Sequence, residues 1–112
     1  MNHITLIGRL TADPELTAPK GNPVCRFRIA VDRINTDGAD FVTIVSFGTR
    51  GENDAKWLAK GRQVAIAGRL HHNTWTDNDG NNRERYEVIA NQVTYLGPRR
   101  TSDDPKPGEE AF

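Results

Sequence analysis

The chain has 112 residues, 36% of them hydrophobic and 27% charged, with a formal net charge of zero. That length supports one domain with a single modest core, and no apolar run approaches the ~20 residues of a membrane-spanning helix. The lone Cys25 excludes an internal disulfide and a cysteine-based metal site, and it suits a reducing cytoplasm.

The zero net charge is a sum of unlike parts. Residues 1–100 carry 14 Lys+Arg against 11 Asp+Glu, a balance of +3, whereas residues 101–112 carry one lysine against four acids, a balance of −3. A mildly basic body with an acidic tail is an asymmetry that suits nucleic-acid contact.

The chain enters a strand-like pattern directly from Met1-Asn2-His3-Ile4, without the charged-then-apolar run of a signal segment. Ile4, Leu6 and Leu10 form one row of the first strand, His3, Thr5, Ile7 and Arg9 the other, and Gly8 predicts a bulge or sharp coil. Thr11 to Pro23, with three prolines and a glycine, is expected to be a connection. The second strand runs from Val24 to about Arg33. Cys25, Phe27, Ile29 and Val31 face inward, and Arg26 and Arg28 stand side by side on the opposite face.

Asn35 to Asp40 is turn chemistry, so the second and third strands should form an antiparallel hairpin. The third strand, Phe41 to Phe47, has two unlike faces. Val42, Ile44 and Ser46 suit a packed interior; Phe41, Thr43, Val45 and Phe47 lie on the other side, with a ring near each end. On that parity the arginines and phenylalanines share the outer surface, and cations interleaved with rings suit a charged backbone bearing stackable bases. Taken without that context, the arginines would be ordinary solvated surface charge.

One helix is predicted over about Glu52 to Lys60, capped by Asn53 or Asp54 and stopped by Gly61, with Ala55, Leu58 and Ala59 inward. Trp57 on it reads as a packing or interface residue. The fourth strand starts at Arg62, with Val64, Ile66 and Leu70 inward, and Ala65, Ala67 and Arg69 outward. The outward parity continues through His71 and Asn73 to Trp75. Thr76 to Asn82, with Asp79-Gly80 at the tip, is a hairpin turn, and the fifth strand returns from about Arg83 to Leu96 with Arg83, Arg85 and Tyr86 on its arm. After Gly97-Pro98 the pattern ends, and residues 99–112 are expected to be a disordered acidic tail behind a domain of residues 1–98. Five strands with one helix between the third and fourth is the order of an OB-fold, an all-β barrel that often binds oligonucleotides; here it carries a long hairpin between its fourth and fifth strands.

Several strings resemble the bacterial single-stranded DNA-binding proteins: Ile7-Gly8-Arg9-Leu10 followed by Asp13-Pro14-Glu15, Ser46-Phe47-Gly48, Leu58-Ala59-Lys60-Gly61, Val64 to Leu70, and Trp75-Thr76-Asp77 with Asp79-Gly80. They occur in the family's order and spacing over about residues 2–97. The opening Leu10 to Leu16 looks like the actinobacterial branch, and a phage, plasmid or paralogous member would fit. The resemblance implies an OB-fold that assembles, usually as a homotetramer, and wraps single-stranded DNA irrespective of sequence, without a cofactor, in the cytoplasm and associated with the nucleoid.

By position, Phe41 stands where the family usually has a stacking tryptophan, Phe47 matches its DNA-contacting phenylalanine, Trp75 its hairpin tryptophan and Lys60 a basic backbone contact. Arg26, Arg28, Arg62, Arg69, Arg83 and Arg85 would join Lys60 in steering phosphates. The family's tail ends in acids followed by Pro-Phe and docks replication and repair proteins; here Glu109, Glu110 and Phe112 stand in that place, with Ala111 for the proline. The chain also departs from the family before Trp75, where His71-His72-Asn73-Thr74 replaces an Arg/Lys-rich segment, and at Thr43 and Thr49, which are often basic. Fewer fixed charges imply a shallower salt dependence.

Two other readings use the same residues. A nuclease would draw its metal ligands from His71-His72 with Asp77 and Asp79, but adjacent histidines on a strand point to opposite faces and cannot easily share one ion. An adaptor similar to primosomal replication protein N would use Phe41 and Phe47 as a protein interface.

Overall fold

In the computed structural model, residues 1–97 are described. The expected tail over 99–112, including Glu109, Glu110 and Phe112, lies outside the described residues. Among these residues six strands and one α-helix follow in the order β1 (Ile4–Leu10), β2 (Glu15–Thr17), β3 (Val24–Asp32), β4 (Ala39–Phe47), α1 (Gly48–Trp57), β5 (Gln63–Thr76) and β6 (Asn82–Leu96), with a 3-10 turn at Pro19–Gly21 between β2 and β3. Five of the strands close a ring, β1–β5–β6–β4–β3 and back to β1, which is the OB barrel. The sixth, β2, falls in the stretch expected to be a plain connection. It pairs Glu15, Leu16 and Thr17 with Arg26, Cys25 and Val24 of β3, and three residues are too few to show a period.

The alternating rows bury as their spacing predicts. Cys25, Phe27 and Ile29 from β3, Ile44 from β4, Val64 and Ile66 from β5, and Val88 and Ala90 from β6 meet in one core with Leu10 and Leu58. Gly8 makes no bulge. It pairs with Val64 in an unbroken ladder, and a Cβ there would come within 2.6 Å of the Ala30 carbonyl oxygen. The glycine is therefore needed where β1 passes from β5 to β3 and closes the ring, since Arg9 and Leu10 pair with Ala30 and Ile29. A bulge does occur in β6. Ala67 pairs with Gln92 but Gly68 with Ala90, leaving Asn91 as the extra residue. It switches the parity of β6, so Val93 and Tyr95 turn inward below it as Val88 and Ala90 do above it.

The helix differs from its expected place. It starts at Gly48, directly after β4, and ends at Trp57, so neither Asn53 nor Asp54 caps it and Ala59 is exposed. Gly51 lets it begin this early, because a Cβ there would lie 2.7 Å from the Ser46 carbonyl oxygen, and the helix packs that closely on β4. Leu58, extended and 5% exposed, leaves the helix and plugs the core. Gly61, at φ +88°, ends the turn that follows rather than the helix itself. Leu70 keeps its inward parity but is 44% exposed. It lies past Gly68, the last β5 residue paired with β1, and in β1's place the Asn2 side-chain amide donates to the Leu70 carbonyl and accepts from its N–H, both at 2.8 Å.

Candidate nucleic-acid interface

The β3–β4 hairpin pairs Val24 with Phe47, Arg26 with Val45, Arg28 with Thr43 and Ala30 with Phe41. All eight lie on its outer face, so the arginines and phenylalanines do share one surface. Phe41 and Phe47 are 57% and 49% exposed, and the Arg28 guanidinium lies 4.4 Å from the centre of the Phe41 ring. A guanidinium over a π face is attracted to it and holds the ring in place.

The second half of the surface is the β5–β6 arm. Its pairs Trp75–Arg83, Asn73–Arg85 and His71–Glu87 share one face, with the Arg85 guanidinium 5.1 Å from the Trp75 ring centre. At the tip, Asp77 Oδ1 accepts the N–H groups of Asp79 and Asn81 at 3.0 and 2.9 Å, and Asp77 Oδ2 accepts Arg83 Nε at 2.8 Å. The Arg83 bond, then the backbone donors, hold the Asp77 carboxyl below the usual carboxylate range. Arg83 therefore serves first to fasten the turn. The opposite face of the arm stacks His72 on Tyr86 at 4.6 Å, with His72 Nε2 3.0 Å from Glu84. His71 and His72 do face apart, and among the described residues no group of three or more His, Cys, Asp or Glu is gathered as a metal site.

Glu87 joins the two halves. It is 3% exposed, and its Oε2 lies 3.9 Å from Arg26 Nε and 3.2 Å from Arg85 Nε. Since β4 runs between β3 and β6, the Arg26–Glu87 contact spans it, and Val45, outward by parity, is fully buried there. The contacts run without a gap from Arg26 to Glu87, Arg85 and Trp75. Glu87 is not among the residues expected from sequence, although its period-two spacing from Arg83 and Arg85 marks it as a member of their row.

Lys60 and Arg62 stand apart, at the opposite end of β5 from Trp75. The Lys60 N–H donates to Asp13 Oδ1 at 2.9 Å, while Arg62 Nε donates to the Leu96 carbonyl at 3.3 Å and its guanidinium lies 5.7 Å from the Tyr95 ring. Arg69 is exposed on β5, opposite Ile89. Ile89 pairs in turn with Val45, and Val45 with Arg26, so Arg69 shares their outer face, and the surface brought together is Phe41, Phe47, Trp75, Arg26, Arg28, Arg69 and Arg85, with Arg83 at the tip.

A second polar cluster lies beneath the helix. Asp54 is 2% exposed and accepts the Tyr95 hydroxyl at 2.6 Å. Burial pushes its carboxyl above the usual range, against the opposing pull of that bond. Burial, then the charge of Asp54, also pushes the Cys25 thiol up to about 11, which keeps it protonated and unreactive.

The Single-strand binding protein family model matches residues 1–96. Over 102 residues the chain is 41% identical to a single-stranded DNA-binding protein of Clostridium tetani, covering 86% of this chain and 70% of that one. The corresponding protein of Clostridium perfringens is 39% identical over 99 residues, 86% of this chain and 66% of its own length. Single-stranded DNA-binding protein 1 of Clostridium acetobutylicum is 39% identical over 107 residues, 89% of this chain and 97% of its own. With the family matched over nearly all the described residues, on a closed OB barrel whose outer face carries the expected rings and guanidiniums, the chain belongs to the single-strand binding protein family.

Proposed function

We propose that this chain binds single-stranded DNA without regard to sequence and shields it during replication, recombination and repair. The observation that carries the reading is the run of half-exposed rings, Phe41, Phe47 and Trp75, with guanidiniums against two of them on a connected outer face. Rings accept any base, and arginines follow the backbone whatever the bases are. The names of the relatives support the same ligand. No bond is made or broken in this function, and stacking with counterion release suffices to drive it. Assembly is proposed as a homotetramer, with a dimer as the alternative, in the cytoplasm alongside the nucleoid. Replication and repair partners are proposed to dock on Glu109, Glu110 and Phe112.

Fluorescence anisotropy of a labelled oligo-dT, with mixed-sequence single strands and duplex as competitors, tests the reading. Competition by any single strand and little by duplex is expected. A folded chain that binds no single strand at low salt overturns it and makes the rings a protein interface, as in an adaptor.

A further inference from the structure

Arg26 and Arg85 lie on the outer face where a DNA backbone would run, their side chains 38% and 41% exposed, yet both converge on a carboxylate whose side chain is 4% exposed. Neither Arg26 Nε nor Glu87 Oε2 has a hydrogen-bond partner, so the Arg26–Glu87 contact is one of charge with charge. Beneath the surface such an attraction is screened far less than one in water. The arginines cannot leave together, because that would strand a buried, unpaired carboxylate, which is strongly unfavourable. Glu15, opposite Arg26 in the β2–β3 ladder, is exposed, and salt screens it. The local sum is thus two cations and one fixed anion.

We propose that Glu87 is an internal counter-anion that withholds one of the two positive charges of Arg26 and Arg85 from the DNA backbone, so that stacking outweighs phosphate attraction on this face. Glu87 touches no nucleotide; it acts through the two arginines, and the proposal rests on the single-strand reading above. Around them on this face Thr43 and Asn73 supply no fixed charge and Arg83 is bonded to Asp77, which leaves Arg28 and Arg69 as its other fixed cations. A surface of this kind holds bases chiefly through rings and lets go of them with little sensitivity to salt.

The test is the slope of log K against log salt for the full chain on labelled oligo-dT. Each phosphate neutralised on a single strand contributes about 0.7 to that slope. Glu87→Gln, which keeps the shape and removes the charge, is expected to steepen it by about 0.7, so a fourfold rise in salt costs roughly 2.6-fold more affinity than in the unmodified chain. Glu87→Asp, which keeps the charge, is expected to retain the original slope. The double variant R26Q/E87Q leaves the net charge unaltered and is expected to match the unmodified chain; it also decides the matter if Glu87→Gln alone does not fold.

A slope for Glu87→Gln equal to or shallower than the original overturns the proposal. So does a double variant shallower by about 0.7, since both arginines would then be full phosphate contacts and Glu87 mere packing. Failure of the unmodified chain to bind oligo-dT overturns the single-strand reading itself, and the two failures are distinguished by that control.

Discussion

Phe47 and Trp75 are large rings left 49% and 41% exposed on strands that bury their other faces well. Removing them takes little from the core, so Phe47→Ala and Trp75→Ala should each weaken single-strand binding by about 1–3 kcal/mol. Circular dichroism should stay native in both, and a collapsed spectrum would make the rings structural. Asp54 presents the opposite case, a carboxylate buried to 2% exposure with its value raised by that burial. A raised folded value means its contribution to stability is fully present below the unfolded carboxylate value, near ~4, and is lost as pH rises through the folded value. Asp54→Asn keeps an acceptor for Tyr95 and removes the ionisation. It should raise the melting temperature by a few degrees at neutral pH, with the gain fading below about pH 4. A variant less stable than the unmodified chain at neutral pH would contradict this.

At the scale of elements, the long alternating strands were plain in the sequence and the short or close-packed pieces were not. Val24 to Val31 and Val42 to Ser46 alternate over enough residues to fix their faces, and the hairpin pairing follows from them. The helix was placed too late because its start depends on the approach of Gly51 to the Ser46 carbonyl, a tertiary contact that local capping preferences do not report. The acids of its first expected turn read as capping chemistry, yet Asp54 turns inward to Tyr95, 41 residues away in the chain. Gly8 serves close contact with β3 and not the interruption of β1 that its place in the strand predicts. Gly8→Ala should therefore destabilise the barrel by about 1–3 kcal/mol, seen as a lower urea midpoint. An unchanged midpoint would mean that β1 yields there. The rings and most of the arginines of the candidate surface were legible from parity. Glu87 was not, because a single acid among arginines looks like solvated charge until the strands are assembled around it.

At the scale of the whole molecule, the basic residues expected to meet DNA fall in two places. Arg26, Arg28, Arg69, Arg83 and Arg85 lie on the face of the exposed rings, whereas Lys60 and Arg62 lie at the far end of β5 near Asp13 and Leu96. The two tryptophans divide likewise, Trp75 on the arm and Trp57 at the end of α1. If DNA follows the rings, only Trp75 should report it. Intrinsic tryptophan fluorescence, recorded while poly-dT is added at low salt and again at about 0.3 M, where phosphate contacts weaken, tests this most directly. The account predicts saturable quenching at both salts that persists in Trp57→Phe and is abolished in Trp75→Phe. Absence of binding at low salt, or quenching that follows Trp57 instead, would contradict it.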